Sequence, residues 1–240
     1  MKKTRILSLA MTGALCLSLL AGCGGGNSGT AETPAAGASE TPAAENTSTA
    51  TGAAFKIGGT GPLTGDASIY GLAAQRGAQI AVDEINAEGG AIQFELNYQD
   101  DVNVPETAVN AYNTLKDWGM QISLGSVTSQ PGVSTSQLAM TDRIFTLTPS
   151  GSSPDVIEGK DCVYQMCFSD PNQGLASAQY IYDQGLGEKV FIIWKNDDVY
   201  STGIYNQFVT EAEALGLDVV GNATFTTDTS NDFTVQLTDA

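Results

Sequence analysis

The sequence predicts an α/β fold made of two doubly wound, parallel-sheet lobes with a cleft between them. Three observations lead there. From Phe55 onward, short apolar runs alternate with longer stretches of helical period, the order that builds βαβ units. The alternation runs in two series, joined by a short crossover at Ser169-Asp170-Pro171. Finally, two uncharged, hydroxyl-rich loops, Gly125-Ser126-Val127-Thr128-Ser129 and Thr148-Pro149-Ser150-Gly151-Ser152-Ser153-Pro154, each follow a strand. They fall on the edge where open α/β sheets place their ligands.

The chain begins with a different kind of segment. Met1 to Cys23 has a basic start, an apolar run from Ile6 to Leu20 and small residues at Ala21 and Gly22, the three parts of a secretory signal. Its run is broken by Ser8, Thr12, Gly13 and Ser18, too short for the ~20 apolar residues of a spanning helix. Leu20-Ala21-Gly22-Cys23 resembles the bacterial lipoprotein signal, which implies residues 1–22 are removed and Cys23 is lipidated, an anchor to the membrane. Residues 23–53 then form a linker of Gly, Ser, Thr, Ala, Pro and Glu that lacks the apolar content to bury a core. Such a tether has an r.m.s. reach of about 30 Å.

The folded part reads in order as follows. Phe55 to Gly58 is a strand, 59–70 a Gly-rich turn and Gly71 to Glu88 a helix whose small residues allow close packing on a sheet. The lengthened turn, with Pro62 and Gly65-Asp66, spoils the spacing of a dinucleotide loop. Ile92 to Tyr98 is a strand, and Pro105 to Trp118 a helix with Pro in its first turn. Asp100-Asp101, between them, reads as a solvated loop. Met120 to Leu124 and Ile144 to Leu147 are buried strands around a helix spanning Val133 to Thr141. Val163 to Phe168 is a strand, and Asp170 caps a helix over Asn172 to Gln184 that Pro171 opens. The second series continues with strand Lys189 to Trp194, loop Lys195 to Tyr200, helix Ser201 to Leu215, strand Asp218 to Phe225 and a helix start at Asn231-Asp232.

Charge and composition exclude several functions. The sequence has 10 basic and 27 acidic residues, and without Lys2, Lys3 and Arg5 the balance is 7 against 27, or −20. That surface repels nucleic acid. No His is present, which removes His metal sites and His-based triads. An enzyme with Ser129 or Ser152 as nucleophile has no base to activate it, since no Lys stands in Ser-x-x-Lys spacing. Cys162 and Cys167, five apart around a strand, point to opposite faces and read as unpaired thiols. The hydroxyl loops suit a small zwitterion held by Ser, Thr and backbone N–H groups. The alternative is that Ser, Gly and Pro there only make turns.

Three stretches then bear a resemblance. They are Ile57-Gly58-Gly59-Thr60-Gly61-Pro62-Leu63-Thr64-Gly65, the helix segment from Gly77 to Asn86 with Gly89-Gly90, and Cys167-Phe168-Ser169-Asp170-Pro171-Asn172-Gln173-Gly174. Together and in order, from about Phe55 to Ala240, they resemble the leucine-isoleucine-valine binding family, the substrate-binding proteins of branched-chain amino acid ABC transporters. The resemblance implies a periplasmic-binding-protein-like type I fold, with an N-terminal lobe over 54–169 and a partial C-terminal lobe over 170–240, the second lobe being incomplete. It implies an amino acid ligand held by Ser129 or its neighbour Thr128, by the main-chain carbonyl of Ser150 and by the hydroxyl of Ser152. Tyr70 from the first lobe and Tyr200 from the second would cover the ligand side chain. It further implies a monomeric, extracytoplasmic, lipid-anchored binder working with an ABC permease, without catalytic residues, metal or cofactor. The same framework leaves open an amide or urea-type solute, or a sensor that signals to a membrane partner. Family members run longer than 240 residues, so the chain reads as a fragment, and the acidic residue that meets the ligand ammonium would lie beyond it.

Overall fold

The computed structural model describes residues 53–240; the signal, Cys23 and the linker before residue 53 lie outside the described residues. Five strands, β1 (Phe55–Gly61), β2 (Phe94–Asp100), β3 (Ile122–Ser126), β4 (Phe145–Thr148) and β5 (Val163–Gln165), form one sheet in the order β2-β1-β3-β4-β5. All pairs are parallel. The helices α1 (Ser68–Ala87), α2 (Pro105–Trp118) and α3 (Ser129–Asp142) make the crossovers. The strand order reverses direction between β1 and β3, and that reversal opens a crevice at the carboxyl ends of the strands.

The first core lies on the α2 and α3 side, where Tyr112, Leu115, Met120, Ala139, Val156 and Val163 are all buried. Pro105 opens α2 and Gly119, at φ +95°, closes it in the left-handed conformation that Gly reaches without strain. The second series builds α4 (Asp170–Asp183), β6 (Lys189–Lys195), α5 (Val199–Leu215), β7 (Asp218–Phe225) and α6 (Thr234–Asp239). Here β6 and β7 pair in parallel as a separate two-stranded sheet. Its core is small: Ala178, Phe208, Ala212 and Leu217. Gly174 lets α4 lie directly on α5, since a Cβ there would stand 2.4 Å from the Ile204 carbonyl oxygen.

Several boundaries differ from the sequence reading. β1 runs on to Gly61 because it pairs on both edges and needs no alternation to stay buried. α1 starts at Ser68, so Tyr70 stands in its first turn and not in a loop. α3 starts at Ser129, four residues before the expected Val133, which shortens the first hydroxyl loop to Val127-Thr128. β5 ends at Gln165, so neither Cys162 nor Cys167 is in the strand, and both thiols are free. The cap of α4 is Ser169, whose hydroxyl accepts from the Asn172 N–H, while Asp170 is inside the helix. Among the described residues no helix is long and apolar enough to cross a membrane.

Candidate functional site

The carboxyl ends of β1, β3 and β4 carry a chain of buried hydroxyls. Thr60, the last residue but one of β1, stands beside Ser126 at the end of β3, and their oxygens are 2.7 Å apart. Ser126 continues the chain to Thr135 of α3 at 3.1 Å. Thr148, closing β4, donates to the Ser126 carbonyl at 2.8 Å and accepts from the Gly151 N–H at 2.8 Å. These groups would each cost free energy if buried alone; paired, they fix the strand ends relative to one another.

The same network winds the second hydroxyl loop around α3. The Ser129 oxygen, in the first turn of α3, accepts from the N–H groups of Ser152 at 3.1 Å and Ser153 at 3.2 Å. Gln165 of β5 donates to the carbonyls of Gly151 at 2.6 Å and Ser153 at 2.8 Å, and the Asp170 N–H donates to that of Ser152 at 3.1 Å. The Ser150 carbonyl has no donor among the described residues. Thr128 precedes α3 in an extended conformation, φ −106° and ψ 154°, and its hydroxyl does not cap the helix. That oxygen is buried and unpartnered. An unsatisfied hydroxyl beside the leading N–H groups of a helix is a place for an anionic or polar ligand atom.

All six residues singled out in the sequence, Tyr70, Thr128, Ser129, Ser150, Ser152 and Tyr200, line one cavity of about 350 Å³. Ala67, Val127, Gln130 and Phe168 add to its wall, and Asn103, Cys167, Gln173 and Asp198 bring further polar groups that the sequence reading did not place there. Gln173 and Cys167 stood within the crossover motif, where only their helical or strand register was read. Asp198 is the N-cap of α5, accepting from the Ser201 N–H at 3.4 Å, and it is the one carboxylate on the cavity wall. Tyr200 shares a hydrogen bond with Gln173 at 3.2 Å.

Asn103 reaches the cavity through an unusual turn. Val102 and Asn103 both have positive φ, +46° and +60°, rare for a β-branched residue. Asp100 and Asp101 hold this turn, accepting from the N–H groups of Val102 and Asn103 respectively, both at 2.9 Å. The expectation of a solvated acidic pair therefore fails for Asp101, which is fully buried. Burial lifts its carboxyl to about 6, opposed by the Asn103 N–H and assisted by the Asp100 charge. Asp100 goes the other way. Against its desolvation, hydrogen bonds from Thr64 and from the backbone of Leu63 and Val102 hold it below the ordinary carboxylate range.

Comparison with known proteins places this architecture. The periplasmic binding protein family model matches residues 54–240. The Leu/Ile/Val-binding protein BraC3 of Rhizobium johnstonii is 31% identical over 173 residues, 71% of this chain and 47% of that protein. The substrate-binding protein LivJ of Streptococcus pneumoniae, solved in complex with isoleucine, superposes with a TM-score of 0.72 at 28% identity, covering 78% of this chain and 53% of that one. The leucine-binding protein LivK of Thermotoga maritima gives 0.69 at 26% identity, covering 77% and 52%. The chain thus spans about half the length of the relatives it matches. On the family match and the parallel α/β architecture, the chain belongs to the periplasmic binding protein family, in the company of the Leu/Ile/Val-binding proteins and their homologues.

Proposed function

We propose that the chain is the solute-binding component of an ABC importer and that it captures a branched-chain or similar aliphatic amino acid. The observation that carries this reading is the convergence, in one cavity, of an uncharged hydroxyl wall, a helix start, a free carbonyl and a single carboxylate. A volume of about 350 Å³ is near the low end of the ~300–1,000 Å³ of small-molecule sites and suits a solute of amino-acid size. In this reading the hydroxyls of Thr128, Ser129 and Ser152, with the leading N–H groups of α3, take the carboxylate. The Ser150 carbonyl and Asp198 take the ammonium, and Tyr70, Val127, Phe168 and Tyr200 enclose the side chain. Two lobes, divided near Asp170, close over the ligand, and the closed form is what a permease recognises. The names of the relatives support the choice of ligand: LivJ holds isoleucine and BraC3 is a Leu/Ile/Val-binding protein. The binder works outside the cytoplasm as a monomer, without cofactor or catalytic residue, anchored by a lipid on Cys23 and held off the membrane by residues 24–53.

The absence of charge on the Ser and Thr wall also favours a second reading, a neutral amide or urea-type solute. Calorimetric titration with leucine, isoleucine, valine, acetamide and urea separates the two. Binding of the aliphatic amino acids supports the first, binding of the amides alone supports the second, and binding of none refutes both. The anchor has its own test. Cys23→Ser is expected to release the protein from the membrane fraction, and retention after a high-salt wash would show that Cys23 is not the anchor.

A further inference from the structure

Asn103 lines the cavity, yet its side-chain amide has no hydrogen-bond partner among the described residues; only its backbone N–H is engaged, by Asp101 at 2.9 Å. The backbone is strained to bring it there. Val102 and Asn103 stand in succession in the left-handed region, which a β-branched residue such as Val strongly disfavours. Val102 is 42% exposed, so burial of its own side chain does not offset that strain. What fixes the turn lies on either side of it. The Asp101 N–H donates to the Gly61 carbonyl at 3.1 Å, and the Asp101 carbonyl accepts from the Val104 N–H at 2.9 Å. Asp100 accepts from the Leu63 N–H at 2.7 Å and the Thr64 hydroxyl at 2.6 Å as well as from Val102, which ties the turn to the connection between β1 and α1. A turn held this firmly against strain presents one free group to the cavity, the amide of Asn103.

The sheet order decides which end of a ligand that amide meets. β2, which leads into the turn, lies two strand spacings, or about 10 Å, from β3, with β1 between them. The end of β3 leads to Thr128 and Ser129, and β4, with the loop of Ser150 and Ser152, is one strand further away. Asn103 therefore stands on the flank of Tyr70, which is in the first turn of the helix that joins β1 to β2. We propose that Asn103 is a specificity-determining residue whose amide reads a hydrogen-bonding group on the ligand side chain, so that the site takes uncharged amino acids ending in a carboxamide as well as aliphatic ones. The inference rests on the reading in which Thr128, Ser129 and Ser152 hold the carboxylate and Tyr70 encloses the side chain. A carboxamide has a carbonyl that accepts and an NH2 that donates. Two of them edge to edge satisfy each other: the Asn103 N–H donates to the ligand carbonyl, and the ligand N–H donates to the Asn103 carbonyl. L-Asparagine has the branched outline of L-leucine, with an oxygen and a nitrogen in place of its two methyl groups. Leucine gives the Asn103 amide no partner, whereas asparagine does.

Calorimetric titration of the wild type and of Asn103→Gly with L-asparagine and L-leucine tests this. Gly enters the left-handed region without strain, so the turn survives while the amide is removed. The wild type is expected to bind both ligands, and Asn103→Gly to lower the ratio of asparagine to leucine affinity about tenfold. A ratio within about twofold of the wild type overturns the proposal. So does a wild type that binds leucine and not asparagine, a result that leaves the ligand reading intact. If neither binds, the ligand reading falls and the role of Asn103 falls with it. Thermal melting of Asn103→Gly is expected at or above the wild type, because backbone strain is relieved. A clearly lower melting temperature, with both affinities reduced alike, assigns Asn103 to holding the turn and overturns the proposal.

Discussion

The two walls of the cavity are held in different ways. On the side of the first sheet, Thr60, Ser126, Thr148 and Ser129 are buried and tied into one network of hydrogen bonds, so the polar groups beside them stand at fixed positions. On the side of α4 and α5, Tyr200 is 39% exposed and holds Gln173 at 3.2 Å, while Asp198 has a single long bond of 3.4 Å to its own helix. A preorganised wall loses little entropy on binding and, for the proposed ligand, suits the groups that every amino acid shares. The looser wall rests on a small core around Ala178 and Phe208 and, in the proposed function, is the part that moves and accepts different side chains. In the proposed reading, function divides along the same line as rigidity.

The largest effect that tests this contrast is expected at Ser129. Ser129→Ala leaves the buried N–H groups of Ser152 and Ser153 without their acceptor, and each such group costs ~1–3 kcal/mol. A loss of about 2–4 kcal/mol in denaturant unfolding is expected, together with weaker amino acid binding, because the loop carrying Ser150 and Ser152 comes loose. A stability change below about 0.5 kcal/mol would show that the first wall is not held by this clamp.

Next in size is Ser152→Ala. Removing a charge-assisted bond to a ligand carboxylate costs ~1.5–3 kcal/mol, about ten- to a hundredfold in affinity. Fold stability is expected to change little, since the Ser152 side chain supports no backbone group, unlike that of Ser129. Unchanged affinity for leucine would take Ser152 out of the site.

Much of this arrangement is legible in the sequence, and what is not follows a pattern. The strand and helix order and the two hydroxyl loops come from local signals, period and turn chemistry, while Tyr70, Thr128, Ser129, Ser150, Ser152 and Tyr200 come from the family resemblance. These signals act over a few residues, so folding leaves them in place. Asp101 and Asp170 show what is lost. Each stands in a polar stretch, Asp100-Asp101 and Ser169-Asp170, that reads as solvated loop or cap. Asp170 is buried because Gly203, 33 positions later, lets α5 close over it. Asp101 is buried because its own N–H donates to the Gly61 carbonyl at the end of β1 and fixes the turn against the sheet. Burial of this kind comes from partners far along the chain, which no local pattern encodes. The early start of α3 is hidden for a nearer reason: Ser129-Gln130-Pro131-Gly132 reads as a turn, yet Pro has no N–H to lose in a first helical turn.

The smallest expected effect lies on the looser wall and sharpens the contrast most. Tyr200→Phe removes only a hydroxyl, whose one partner among the described residues is the exposed amide of Gln173. Both groups are reachable by water, so the lost bond is worth about 0.5 kcal/mol or less in stability, and affinity should shift by about twofold at most. Tyr200→Ala removes the ring itself, and with it the apolar cover over the ligand side chain. A partly exposed aromatic in such a place contributes on the order of 1–2 kcal/mol, so a loss of about tenfold in leucine affinity is expected. Thermal melting of both variants should stay near the wild type, because Tyr200 belongs to neither buried core. If Tyr200→Phe weakened binding as strongly as Tyr200→Ala, the hydroxyl would be a fixed polar contact to the ligand. The second wall would then be as preorganised as the first, and the division of rigidity between them would not hold.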